Sequence, residues 1–224
     1  MARVLITGAN RGIGRALAME LGSRGHAVIA ASRRPAAAPL DQPGLRRQTL
    51  DVTDQRSIDA AATALADEPL DVLVNNAGIF GPRGAGLGQI DDAAWQEVLA
   101  TNVIGAYRVS EAFLPHLRRG EDKKLVTISS RMGSMGANTT GGEYIYRSSK
   151  AAVNAVMRSL AIDLAAEGII VAVLHPGWVR TDMGGPGATL DGATSARGLA
   201  DVILGLTPKQ SGGFFNYDGT PLVW

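Results

Sequence analysis

Apolar positions along this chain follow two alternating patterns. Short, nearly continuous apolar runs at Arg3 to Thr7, Ala27 to Ala31, Leu70 to Val74, Lys124 to Ser129 and Ile169 to Leu174 read as buried strands. A further strand is expected from Arg47 to Leu50, ending at Asp51-Val52, and a seventh from Gly213 to Asn216. Between these runs the apolar residues take helical spacing: Ala16, Leu17, Met19 and Leu21; then Ile58, Ala61, Ala62 and Leu65, from a start at Asp54. The same spacing marks a stretch from about Asp92 to Leu117, another from Tyr146 towards Glu167, and a last one from Thr194 to Leu206. Strands alternating with helices specify an α/β fold, a doubly wound parallel sheet with helices on both faces. Nothing suggests a repeat, so residues 1–224 are expected to form a single domain. The Pro- and Ala-rich segment up to Gly44 and the glycine-rich segment from Gly81 to Gly88 read as loops.

The glycines punctuate this pattern where chemistry is expected. Gly8-Ala-Asn10-Arg11-Gly12-Ile13-Gly14 joins the first strand directly to the first helix. Glycines there let the backbone approach a pyrophosphate, and the free N–H groups of the helix start attract it. The Gly-x-x-x-Gly-x-Gly spacing departs from the usual dinucleotide fingerprint, and an ordinary tight turn is the competing reading. After the second strand come Ser32-Arg33-Arg34 and no acid. An acid would take a ribose 2′-hydroxyl, whereas arginine accepts a 2′-phosphate, so NADP(H) is expected in preference to NAD(H). Arg11 adds to the same charge, while Arg34 reads as part of a solvated turn.

Tyr146 and Lys150 stand at i and i+4, on one helix face. An ammonium about 4 Å from the phenol, at an effective dielectric of about 20, favours the phenolate by about 4 kcal/mol, or roughly 3 pKa units. Burial opposes this shift, and the expected net result is a tyrosine able to donate a proton near neutral pH. Asn102 interrupts an apolar stretch and needs partners for its amide, as a structural bridge or as part of a polar site. His175 reads as a turn residue rather than a metal ligand, and no metal site is expected.

Composition narrows the function classes. A formal net charge of +1 provides no broad field for nucleic acid or an anionic membrane. The chain has no cysteine, hence no disulfide or thiolate chemistry, which suits a reducing compartment. The start Met1-Ala2-Arg3 and its short apolar run do not form a signal peptide, and no run is long enough to span a membrane, so a cytoplasmic location is expected.

Taken together, Thr7-Gly8-x-x-x-Gly12-Ile13-Gly14, Asn75-Asn76-Ala77-Gly78, Asn102, Ser130, Tyr146-x-x-x-Lys150 and Pro176-Gly177 followed by Thr181 resemble the short-chain dehydrogenase/reductase family, over nearly the whole chain. Within it, Ile128 to Ser134 and the Trp224-terminated tail look most like small carbonyl-reductase and C-factor-like members. The resemblance implies a Rossmann-like sheet of order 3-2-1-4-5-6-7 and a hydride transfer between NADP(H) and a small aldehyde or ketone, or the matching alcohol. It implies that Tyr146 protonates the carbonyl oxygen, Ser130 orients it, Lys150 lowers the tyrosine pKa and holds the nicotinamide ribose, and Asn102 holds a water of the proton relay. It assigns the turn of Gly8, Asn10, Arg11, Gly12, Ile13 and Gly14 to the pyrophosphate, Arg33 to the 2′-phosphate, and Asp51 and Val52 to the adenine. Asn75, Asn76, Ala77 and Gly78 fall at the adenosine ribose, and Pro176, Gly177, Val179 and Thr181 at the nicotinamide end. Many such proteins form homo-oligomers, dimers or tetramers, through their long helices, and Ala151, Ala152 and Ala155 permit such packing.

Two departures from the family pattern stand out. The Ser130 to Tyr146 separation is longer than usual, which leaves Ser129 and Ser134 as alternatives. The Thr181 to Thr194 segment is short and glycine-rich, as for a small lid over an open pocket; Met132, Trp178 and Met183 either line that pocket or simply pack. Alternatives to the NADPH-linked reductase are an NAD-linked dehydrogenase and a dinucleotide-binding signalling or regulatory protein of the C-factor type.

Overall fold

The computed structural model describes residues 1–34 and 43–224, so most of the Pro- and Ala-rich stretch read as a loop lies outside the described residues. In chain order the strands and helices are β1 (Arg3–Thr7), α1 (Gly12–Ser23), β2 (Ala27–Ser32), β3 (Leu45–Thr49), α2 (Gln55–Ala64), β4 (Val72–Asn75), α3 (Asp92–Leu99), α4 (Ala106–Arg119), β5 (Lys124–Ile128), α5 (Tyr144–Asp163), β6 (Ile170–His175), α6 (Gly192–Gly205) and β7 (Gly213–Asn216). The strands form one seven-stranded sheet of order β3-β2-β1-β4-β5-β6-β7, and every adjacent pair is parallel. This is the Rossmann-like arrangement the sequence implies.

Strand side chains alternate between two faces, and each face has its own core. Leu5, Leu73, Val171 and Val173 pack with Ile58 and Ala61 of α2, Val109 and Phe113 of α4, and Val153 and Met157 of α5. Val4, Ile6, Val72, Val74, Ala172 and Leu174 face the other way, onto Leu17 and Leu21 of α1 and Leu199 and Ile203 of α6. With both faces covered, the central strands are apolar at consecutive positions, and for that reason they read as runs in the sequence.

Differences from the sequence reading have local causes. β4 runs from Val72 rather than Leu70, and Asp71 ties its start to the neighbouring strands: its N–H donates to the Arg3 carbonyl at 3.0 Å, its carbonyl accepts the Lys124 N–H at 2.8 Å, and its carboxylate accepts the N–H of Arg3 at 2.7 Å and that of Glu121 at 2.9 Å. The long helix expected from Asp92 is interrupted by a π-helical turn, Ala100–Gly105, between α3 and α4. Gly105 ends that turn where the backbone passes the end of the sheet; a Cβ there would lie 2.7 Å from the Val52 carbonyl oxygen. α5 begins after Glu143, held in a left-handed conformation (φ 48), and stops at Asp163, short of the expected Glu167. Among the described residues no helix is long and apolar enough to cross a membrane.

Phe113 is fully buried between the sheet and its helices. Phe113→Ala is expected to cost about 3–5 kcal/mol, read as a fall in the urea midpoint. Leu87→Ala, at a position 89% exposed, is expected to stay within about 0.5 kcal/mol of the parent.

Candidate active site

In a parallel sheet all strands end on one edge, and the order reverses between β1 and β4, leaving a crevice there. A cavity of about 1410 Å³ occupies that edge, lined by residues following β1 to β6. It is larger than the roughly 300–1,000 Å³ of a pocket for one small ligand.

The glycine turn forms one wall. Gly8 (φ 66) and Gly12 (φ 55) take left-handed conformations. A Cβ on Gly8 would sit 2.8 Å from the Ala77 Cα, and one on Gly14 would sit 2.6 Å from the Gly8 carbonyl oxygen. The turn is fastened to the end of β4: Thr7 Oγ1 accepts the N–H groups of Asn76 and Ala77, both at 3.0 Å, and Asn76 Nδ2 donates to the Thr7 carbonyl at 2.8 Å. α1 starts at Gly12 with no side chain capping its N-terminus, so its first N–H groups are available to an anion. Asn10, Arg11, Ile13, Arg33, Arg34, Asp51 and Val52 line the same half of the cavity. Arg11 Nη1 pairs with Asp182 Oδ2 at 2.7 Å, both side chains being mostly exposed (64% and 81%), so solvent screens the pair.

The catalytic candidates meet at the other half. Ser130 follows β5 in extended conformation; Tyr146 and Lys150 lie in the first turns of α5. The Tyr146 hydroxyl lies near enough to Ser130 for the serine hydroxyl to favour its ionisation. Ser129 Oγ instead donates to Asn154 Oδ1 at 2.6 Å, and Ser134 Oγ accepts the Ala137 N–H at 3.0 Å. Of the three serines, Ser130 is therefore the one brought to the tyrosine. The long loop before α5 is drawn in by Arg147 Nη2, which donates to Thr140 Oγ1 at 2.9 Å, and by Gly133, where a Cβ would lie 2.7 Å from the Lys150 backbone.

The electrostatics run against the sequence expectation. Lys150 Nζ donates to the Ile128 carbonyl at 2.9 Å and stands 5.7 Å from the centre of the Tyr146 ring. Both side chains are buried, and desolvation decides both titrations. The phenol is pushed up to about 12 by burial, against smaller lowering effects of the Ser130 hydrogen bond and the Arg83 charge. Burial pushes the ammonium down to about 8. Lysine alone thus does not acidify the tyrosine in this arrangement.

Two expected residues do not face the cavity. Asn75 is buried and donates to the Ala106 carbonyl at 3.2 Å and to Ser110 Oγ at 2.8 Å. Asn102, in the π-helical turn, accepts the Ile79 N–H and donates to the Ile79 carbonyl, both at 2.9 Å, and to Ser149 Oγ at 3.0 Å. It thereby couples the segment after β4 to α5. Asn76, Ala77, Gly78, Pro176, Gly177, Val179 and Thr181 do line the cavity, as do Met132, Trp178 and Met183.

The sequence reading missed several wall residues. His175 closes β6, lines the cavity, and is pushed down to about 4 by burial and by the charges of Arg131 and Lys150, so it is neutral at physiological pH. Phe80 stacks on Tyr146 at 4.3 Å between ring centres, and Arg83 lies over Phe80 at 4.0 Å. Trp178 is 57% exposed and donates to the Gly184 carbonyl at 2.9 Å, folding the short segment after Thr181 onto itself. Among the described residues no group of three or more acidic or histidine side chains is placed to hold a metal ion.

A family model described as short chain dehydrogenase matches residues 2–189. The chain is 50% identical over 165 residues to C-signal of Myxococcus xanthus, covering 74% of this chain and 99% of that protein. Its fold matches the carbonyl reductase Sniffer of D. melanogaster with a TM-score of 0.93 at 35% identity, over 100% of both chains. It matches an NADPH-bound carbonyl reductase from chicken fatty liver, also with a TM-score of 0.93, at 34% identity over 100% of this chain and 99% of that one. With the parallel sheet, the glycine-turn cavity and the meeting of Ser130 with Tyr146, these matches establish that the chain belongs to the short-chain dehydrogenase family of oxidoreductases.

Proposed function

We propose that this protein is an NADP(H)-dependent carbonyl reductase acting on small aldehydes or ketones, and on the matching alcohols in reverse. The observation that carries the reading is the convergence of Ser130, Tyr146 and Lys150 at one end of a cavity whose other end is the glycine turn. The glycine cradle, the uncapped α1 N-terminus and the cavity volume fit a dinucleotide. When bound in reduced form it supplies the hydride. Gly8, Asn10, Arg11, Gly12, Ile13 and Gly14 would hold its pyrophosphate, Asp51 and Val52 its adenine, and Asn76 to Gly78 the adjoining ribose; Pro176, Gly177, Val179 and Thr181 would hold the nicotinamide end. Asn75 contributes by fixing the end of β4 against α4, and Asn102 by holding Ile79 and Ser149 in register.

Tyr146 gives its hydroxyl proton to the substrate oxygen, and Ser130 holds that oxygen by a hydrogen bond. A phenol at about 12 retains its proton at neutral pH, as a general acid must. The charge left on the phenolate is opposed by the Ser130 hydroxyl, the Lys150 ammonium and the Arg83 guanidinium together. Arg33, at the end of β2, and Arg11 favour a 2′-phosphate, and the NADPH bound by the chicken reductase is in keeping with that preference.

The reading takes residues 1–224 as a single working domain in the cytoplasm, without a nucleic-acid or membrane partner. It includes self-association through α4 and α5, supported by the exposed Tyr107 on α4 and Ile162 on α5. A second reading, a dinucleotide-binding regulatory protein with little turnover, is favoured by the identity with C-signal. Against it stands a complete set of proton-handling groups that pure binding does not require.

Purified protein is expected to oxidise NADPH with a panel of aldehydes and ketones. Tyr146→Phe should lower that rate about 10²–10⁴-fold while nucleotide binding persists; a rate equal to the parent's would remove the proposed acid. NADPH should bind more tightly than NADH by fluorescence titration, and Arg33→Ala should weaken NADPH about tenfold with little change for NADH. Tighter NADH binding would favour the NAD-linked dehydrogenase instead.

Lys150 generates a prediction of opposite sign for stability and activity. Its folded value of about 8 lies below the ordinary 10.5, so the cost of burying the ammonium is full below pH 8 and is released as pH rises towards 10.5. Lys150→Met should therefore stabilise the nucleotide-free protein at pH 7 by about 1–3 kcal/mol and abolish the parent's gain in stability between pH 8 and 10, while losing most reductase activity. A less stable variant would show that the bond to Ile128 outweighs desolvation.

A further inference from the structure

The catalytic half of the cavity is rich in cations. Arg83, Arg131, Arg147 and Lys150 line it, and the acids of the whole cavity wall are Asp51, Glu97, Glu143 and Asp182. Lys150 is engaged with the Ile128 carbonyl, Arg147 with Thr140 Oγ1, and Asp182 with Arg11. Arg83 is placed differently. Its guanidinium lies 4.0 Å from the centre of the Phe80 ring, which itself stacks on Tyr146 at 4.3 Å, and it donates to the Met183 carbonyl in the segment after Thr181. The residue is exposed, and a guanidinium carries five N–H donors, of which the Met183 carbonyl occupies only part. Arg131 also lines the cavity, where its charge is felt at His175.

We propose that Arg83 selects the substrate: its guanidinium, fixed over the Phe80–Tyr146 stack, receives a carboxylate that the carbonyl substrate carries on its far end. The Phe80 ring, in contact with both, spaces the guanidinium from the reacting phenol, so the carboxylate belongs several bonds from the carbonyl carbon rather than next to it. Phe80 is the apolar group between the two polar contacts, which suits an aromatic or short aliphatic spacer. A planar guanidinium binds a carboxylate through two parallel hydrogen bonds, and among the described residues no carboxylate pairs with Arg83, whereas Arg11 and Arg24 each have one. The proposal rests on the reductase reading above and adds the class of substrate to it.

The test compares para-carboxybenzaldehyde with its methyl ester, which share the reacting group and differ in charge. The parent protein with NADPH should favour the acid by about tenfold or more in kcat/KM, expressed mainly in KM. In Arg83→Gln the acid-to-ester ratio should fall towards one, whatever happens to the absolute rates, and Arg83→Lys should keep part of it. Equal efficiency for acid and ester in the parent, or an unchanged ratio in Arg83→Gln, overturns the assignment. A ratio that collapses in Arg131→Gln instead also overturns it, in favour of Arg131. Turnover of the ester without preference for the acid defeats this proposal alone, whereas no turnover of either compound or of the wider carbonyl panel defeats the reductase reading and this proposal with it.

Discussion

The hydrogen bond from the Lys150 ammonium to the Ile128 carbonyl is the contact on which the site depends. It joins α5 to the last residue of β5, and through that junction Tyr146, on α5, is brought beside Ser130, just past β5. An ammonium in this position is costly, as its depressed titration shows, and the chain accommodates it with a backbone carbonyl rather than a carboxylate. A carboxylate partner would hold the charge more comfortably and would also cancel it. A carbonyl leaves the positive charge effective at the end of the cavity, where the proton transfer would build a negative one.

That junction is possible because the sheet is parallel. Its connections all return to the same edge, so six strand ends, far apart in sequence, deliver short loops to one crevice. Close approach then needs glycine in a few places. At Gly8 and Gly14 the missing Cβ lets the turn lie against the β4 end, and at Gly133 it lets the post-β5 loop lie against Lys150 itself. Thr7, Asn75, Asn76 and Asn102 bind these loops together through their own side chains. Much of what looks like a ligand-binding motif in the sequence is thus the scaffold that keeps a ligand-binding surface in shape.

How far the chain can be read without its structure follows from the same division. The central strands were legible because doubly covered parallel strands leave apolar runs, and the glycine turn because its residues are contiguous; the strand order came only through the family resemblance. Ser130 was preferred from its place after β5, yet only the folded loop, with Ser129 turned to Asn154 and Ser134 to Ala137, separates the three serines. The π-helical turn at Ala100–Gly105 left no mark, since its apolar residues fit an ordinary helix equally well. The sign of the tyrosine shift was misjudged because i and i+4 spacing fixes a face and not a distance: the ammonium turns to Ile128, and burial then dominates both groups. Phe80 and Arg83 lie where no periodicity exists to point to them.

The pairing of a rigid reaction centre with a wall drawn from irregular loops has a physical consequence. Ser130, Tyr146 and Lys150 are held by the sheet and α5, so their geometry changes only at the cost of the core. Phe80, Arg83, Trp178 and Met183 are held by stacking and by single bonds to loop carbonyls. Such contacts are individually weak and tolerate substitution. On the proposed reading, hydride-transfer geometry and substrate choice rest on different parts of the fold, and the second would change by replacing a loop side chain while the first is left intact. Arg83 sits at the boundary between the two: it touches the substrate-facing lid at Met183 and, through Phe80, lies close enough to Tyr146 for its charge to favour loss of the proton.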